Sequence, residues 1–279
     1  MKKKLLSLIA VSAALATAGS ALIACGGDDK GRAKTEVTKE QWAAALSLSN
    51  FESNFKVEVN SANETSNRTE EYTFIVGSQK YGDYSMTSVR KADGVIRRAS
   101  TTMRIVGTDK DAYYDRYSEI EQVKNEDGEW VDGDWKEGQW TVAYEDHITP
   151  TDVQWSYRLE NVGLTYAFMF ADEYDSFEYK NGAYVLKGNK GIVIDEGGSD
   201  SDDDDDYSYS YTVTAKNITV KFDGAKLAFV ELTMTNHHES TEDGETEITE
   251  STLVATIKIS YGTQTITAPE GAIPDGEDE

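Results

Sequence analysis

The side chains able to do chemistry are few in this 279-residue chain. One cysteine, Cys25, and three histidines, His147, His237 and His238, are the only thiol and imidazole groups. There is no Gly-rich phosphate loop, no Gly-x-Ser-x-Gly elbow, no His-Glu-x-x-His and no paired Cys-x-x-Cys. His237 and His238 precede acidic residues at an expected strand end. Adjacent strand positions point to opposite faces, so both read as surface residues rather than partners in one metal site. Carboxylates are so numerous that some pair would stand at glycosidase separation by composition alone, and none is singled out. The run Asp202 to Asp206 offers the hard oxygens Ca²⁺ prefers but lacks the spaced ligands and ordering glycine of an EF-hand loop. The reading is a protein that is not an enzyme, with no metal centre and no cofactor.

Cys25 has a different chemistry in view. As the only cysteine it can form no intramolecular disulfide. Ahead of it, Met1-Lys2-Lys3-Lys4 puts positive charge before an apolar stretch from Leu5 to Ala24, the layout of a signal peptide. Ser7, Ser12, Thr17, Gly19 and Ser20 interrupt that stretch, so a permanent spanning helix is the weaker reading. Leu22-Ile23-Ala24-Cys25-Gly26-Gly27 resembles the lipobox of bacterial lipoproteins. The resemblance implies removal of residues 1–24, diacylglycerol on the Cys25 thiol and a flexible tether over 25–36. Burial contributes about 0.8 kcal/mol per methylene, and two or more chains hold stably where one does not. The alternative is ordinary secretion with cleavage after Ala16-Thr17-Ala18, which leaves Cys25 a free thiol. The lipobox reading places the protein in the cell envelope. In a Gram-negative host Gly26, in place of the aspartate that retains lipoproteins at the inner membrane, permits the outer membrane; in a Gram-positive host the site is the outer face of the cell membrane.

Without residues 1–24 the chain carries 24 basic against 51 acidic side chains, a net charge of about −27. Nucleic acid is excluded as a partner, because phosphate backbones need a basic surface. Anionic headgroups repel the same charge, so the body should stand off the membrane on its tether.

Elements that could position a site follow from periodicity. Thr38-Lys39-Glu40-Gln41 has the form of a capping box, with Val37 and Trp42 spaced for a hydrophobic staple, which predicts a helix to about Leu48 with Trp42 as a core anchor. After Asn50 the period becomes two: Phe55, Val57 and Val59, then Tyr72, Phe74 and Val76, predict antiparallel strands. Further segments run from Tyr81 to Val89, Ile96 to Val106 and Ala112 to Val123. Trp130, Trp135 and Trp140 recur every five residues, a period matching neither a helix face nor one strand face. Asp132-Gly133 and Glu137-Gly138 read as turns, and the tryptophans as packing that caps a sheet rather than as a binding lip. Val153 to Ala171 carries a helical pattern weakened by Gly163. Asn181-Gly182 signals a type I′ hairpin. The eight carboxylates of 195–206 predict a solvated loop, a strand meander follows, and 270–279 reads as an acidic disordered tail.

A single β-rich domain over 37–269 is therefore expected, of mainly β (α+β) class. This order of elements looks like the half-barrel lipoproteins related to the LolA carrier and mycobacterial LppX. Ile259-Ser260-Tyr261-Gly262-Thr263-Gln264-Thr265-Ile266-Thr267-Ala268-Pro269 is similar to their last strands. The resemblance implies a curved antiparallel sheet with an N-terminal helix and a central helical insertion on the concave face, enclosing a cavity for a lipid or other amphiphile. Tyr166, Phe168, Met169 and Phe170, aromatic on more than one helix face, are the candidate cavity lining. The competing reading is a surface interaction protein that uses the tryptophan segment or acidic loops to contact polysaccharide or an envelope protein.

Overall fold

The computed structural model describes residues 36–76, 82–146, 164–202, 205–242 and 245–275. The signal segment, Cys25, His147 and most of the expected central helix lie outside them. Helix α1 (Lys39–Ala45) begins as its sequence dictates: Thr38 Oγ1 accepts from the Gln41 amide at 3.2 Å, and Gln41 Oε1 accepts from the Thr38 amide at 2.9 Å. It ends at Ala45, and a separate 3-10 turn (Leu48–Phe51) carries the chain to the first strand.

Fourteen strands form one sheet among the described residues: β1 (Phe55–Ala62), β2 (Asn67–Phe74), β3 (Tyr84–Ala92), β4 (Val95–Ile105), β5 (Lys110–Lys124), β6 (Trp130–Lys136), β7 (Thr141–Asp146), β8 (Phe177–Lys180), β9 (Ala183–Leu186), β10 (Ile192–Asp202), β11 (Asp205–Asp223), β12 (Lys226–Glu242), β13 (Glu245–Tyr261) and β14 (Ile273–Pro274). The order is β14-β7-β5-β4-β3-β2-β1-β13-β12-β11-β9-β8, with β10 on β11 and β6 on β5. The sheet is curved and open. β1 joins its two halves by pairing with both β2 and β13, so an early strand is held by a late one. The Asn181-Gly182 turn takes the type I′ form, with φ of 51° and 80°.

Register defines the core face. Phe55, Val57 and Val59 stand opposite Tyr261, Ile259 and Ile257 on one side and Phe74, Tyr72 and Glu70 on the other. Val230, Leu232 and Met234 continue the face across β12. Trp42 lies fully buried above it, with ring centroids 4.8 Å from Phe177, 5.2 Å from Tyr184 and 5.5 Å from Phe222. Its Nε1 donates to the Phe170 carbonyl at 2.8 Å, so the indole buries no unmet donor. The core ends at β3, where Tyr84 and Met86 are the last side chains packed against it.

Two expectations need correction. The acidic segment 195–206 is not a loop: its described residues continue β10 and β11, with Ser201 opposite Asp206 and Asp202 opposite Asp205. The Tyr-Ser-Tyr-Ser-Tyr-Thr alternation from Tyr207 has strand propensity enough to carry the ladder past the core. The tail 270–279 is ordered through Asp275: the Ile273 amide donates to the Trp140 carbonyl and the Asp275 amide to that of Val142. Of the central helix, the described part holds one turn, α2 (Thr165–Phe168), followed by turns, with Leu164, Ala167 and Phe170 buried along this stretch.

Candidate functional site

Strand β5 is long enough to take β7 along its first half and β6 along its second, and its even-numbered side chains point away from the core face. Tyr144 stands opposite Ala112 on this outer face, and Tyr114 opposite Val142. Arg116 follows, its guanidinium 5.0 Å from the Trp140 ring centroid and 3.3 Å from Glu137. Ile120 then pairs with Trp135, Gln122 with Asp132, and Lys124 with Trp130.

That last register contains the decisive feature. Between its pairs with Ile120 and Gln122, β6 advances three residues where β5 advances two, which is a bulge. The extra residue shifts the alternation by one, so Trp130 and Trp135, five apart, share one face. Without it they would face opposite ways. Gly133 lies in the bulge, where a Cβ would meet the Glu121 carbonyl at 3.0 Å and Val123 Cγ1 at 3.1 Å. Gly133 was the available signal: a lone glycine inside a strand pattern marks a bulge as readily as a turn.

The aromatic rings on this face are exposed, Trp130 by 66%, Tyr144 by 61% and Trp135 by 39%. The expectation that the tryptophans pack as a cap fails here, because β6 hangs on β5 beyond the reach of the core. Polar partners fix the rings instead. Trp135 Nε1 donates to Glu137 at 3.0 Å, and Lys124 Nζ lies 5.1 Å from the Trp130 centroid. Gln122 donates to Asp132 at 2.6 Å, and Asp132 also pairs with Arg97. Gly138 packs so close to the Tyr117 carbonyl that no side chain fits there, and its amide donates to Ser118 Oγ at 2.8 Å. Partial burial and the neighbouring Tyr144 raise the Tyr114 phenol pKa, so this end of the stripe is uncharged at neutral pH. From Tyr144 to Trp130 the stripe follows twelve residues of β5, about 40 Å at strand rise.

The sequence-chosen cavity residues lie elsewhere. Phe170 is fully buried, 6.2 Å from Phe177, and the half-buried Phe168 stands 5.9 Å from Phe51. Met169 packs against the same core, while the Tyr166 side chain is outside what is described. These contacts make Phe170 a core residue and bring it nowhere near the tryptophan stripe. His237 and His238 lie within β12 rather than at its end, opposite Glu250 and Thr249. No group of three metal-ligating side chains is gathered among the described residues.

No known protein family matches the chain, and no curated protein matches it. Among solved structures, a porin-like protein from Bacteroides uniformis ATCC 8492 is 11% identical, with 74% of this chain and 96% of that one covered and a TM-score of 0.24. MucB in complex with MucA(peri) is 8% identical, covering 80% and 94%, at a TM-score of 0.18. The Pseudomonas aeruginosa MucA/MucB complex is 7% identical, covering 81% and 99%, at 0.19. Likeness at this level carries no argument about activity or partner.

Proposed function

We propose that this chain is an envelope-anchored recognition module that binds an extended polysaccharide along the outer-face stripe of β5, β6 and β7. The observation that carries the reading is the β6 bulge, which aligns two exposed tryptophans that plain alternation would separate. Exposed rings in a line offer apolar faces to the C–H faces of successive sugars, and Gln122, Asp132 and Glu137 lie beside them as partners for hydroxyls. A protein rarely leaves this much aromatic surface to water without a partner for it. The signal segment and lipobox-like Leu22-Ile23-Ala24-Cys25 support anchoring through a lipid on Cys25, with the tether holding the acidic body clear of the headgroups.

Affinity electrophoresis of the detergent-solubilised full chain through gels containing envelope polysaccharides tests the binding. Retardation is expected for the natural chain and its loss for the Trp130→Ala, Trp135→Ala double variant, with the thermal midpoint unchanged. Equal retardation of both proteins would remove the stripe from consideration. Intact-mass analysis tests the anchor independently: an unmodified Cys25 thiol would leave a secreted protein with the same recognition face.

A further inference from the structure

The opposite face of the same sheet carries a second feature of another kind. At the rim of the core face, beside the β1–β2 and β3–β4 turns, Arg68 stands directly opposite Arg90, and Arg90 directly opposite Arg98. Like charges in directly paired positions destabilise a sheet, and here three of them lie in one cross-strand row of a protein whose net charge is −24. The chain holds 19 lysines and 8 arginines, yet the three adjacent cations are all arginine, with Glu119 next in the row opposite Arg98. Point charge alone would be met by lysine; a planar fork of donors would not.

The outer two guanidiniums are held in place. Arg68 donates to Ser88 Oγ at 3.1 Å and pairs with Glu70 at 2.7 Å. Arg98 pairs with Glu119 at 3.5 Å and lies 5.2 Å from the Tyr117 ring centroid, while the Tyr117 hydroxyl donates to Glu119 at 2.6 Å. Arg90, between them, is exposed, and no carboxylate among the described residues pairs with it. Two oriented forks thus flank a third that carries uncompensated charge.

We infer that the Arg68–Arg90–Arg98 row is a binding site for a compact multivalent oxyanion, a small molecule with two or more phosphate or carboxylate groups. Directly paired positions put neighbouring side-chain roots about 5 Å apart, so the row spans about 10 Å, the reach of such a ligand. The bound anion would offset the repulsion that the free row carries.

Calorimetric titration of the full chain with pyrophosphate and, separately, with citrate tests this and distinguishes phosphate from carboxylate. Saturable binding of at least one is expected, weakened about tenfold or more in Arg90→Gln, as for loss of one charge-assisted fork. Lys91→Gln, a neighbouring charge on the other face, should change affinity less than about twofold if position on the row matters. Without ligand, Arg90→Gln should melt no lower than the natural chain, since it relieves like-charge pairing. Binding of neither probe, or equal weakening by both variants, would overturn the site. Because the row and the tryptophan stripe lie on opposite faces, either result leaves the polysaccharide reading intact.

Discussion

One cross-strand row, Tyr261, Phe55, Phe74, Tyr84, Arg104 and Tyr113, passes through two regions of the sheet that solve burial differently. In the first region aromatic rings meet directly, Phe55 and Phe74 stacking at 4.7 Å, under α1, the 3-10 turn and Phe170. In the second no described helix covers the face, and Arg104 of the row and Asp111, two residues along β5 from Tyr113, are both fully buried and joined through Arg104 Nε and Nη2 to Asp111 Oδ2. Where a cover exists the sheet is held by apolar area. Where none exists it is held by hydrogen-bonded polar side chains, and Tyr144, Trp135 and Trp130 stand exposed on the outward face.

The largest effects should separate these two mechanisms. Trp42→Ala removes the ring on which Phe177, Tyr184 and Phe222 converge, and should cost about 3–5 kcal/mol in denaturant unfolding. Asp111→Ala should cost a similar ~3–5 kcal/mol by leaving a buried guanidinium without its carboxylate. The double variant Arg104→Met, Asp111→Leu then decides the comparison. Recovery of most of that loss is expected, since two apolar side chains bury no charge. Persistence of the full loss would mean that the pair holds β4 against β5 by geometry that packing cannot replace.

A middle-sized effect sharpens the apolar side. The Tyr184 hydroxyl accepts from the Val37 amide at 2.7 Å and donates to its carbonyl at 3.0 Å, tying the helix entrance to β9. Tyr184→Phe should cost about 1–3 kcal/mol, because the buried Val37 amide loses its acceptor, while the Val37 carbonyl keeps the Tyr174 hydroxyl at 3.1 Å. Burial lifts this phenol from 10.0 to about 12, and burial likewise raises Tyr72 and Tyr261. A folded pKa above the unfolded one means stability that is whole below pH 10 and lost as pH rises toward 12. Tyrosine ionisation followed by absorbance should therefore coincide with loss of the β circular dichroism signal across that window. Ionisation well before unfolding would place these hydroxyls in water.

The contrast between regions also explains what could be read in advance. The capping box, the alternation in β1 and β2 and the Asn181-Gly182 turn were legible because each is a local rule with a local partner. The outward aromatics were not, because their facing depends on one added residue in β6 relative to β5, a property of two strands together. The arginine row was hidden for the same reason: Arg68, Arg90 and Arg98 become neighbours only through pairing. Asp202 to Asp206 misled by being judged on charge alone, whereas the Tyr-Ser alternation of the partner strand supplied the pairing.

The smallest expected change in stability carries the most information about the exposed region. Trp130 lies on a strand that, among the described residues, pairs only with β5, so Trp130→Ala should alter unfolding free energy by no more than about 0.5 kcal/mol, a surface-sized effect. Inserting Ala after Asp134 should do the opposite of a truncation. It keeps every tryptophan but changes the bulge, turning one of Trp130 and Trp135 toward the core face. If recognition needs both rings in line, that insertion abolishes polysaccharide retardation while both indoles remain in the chain. Retardation preserved through the insertion would show that tryptophan content, not the register of β6, is what the outer face contributes.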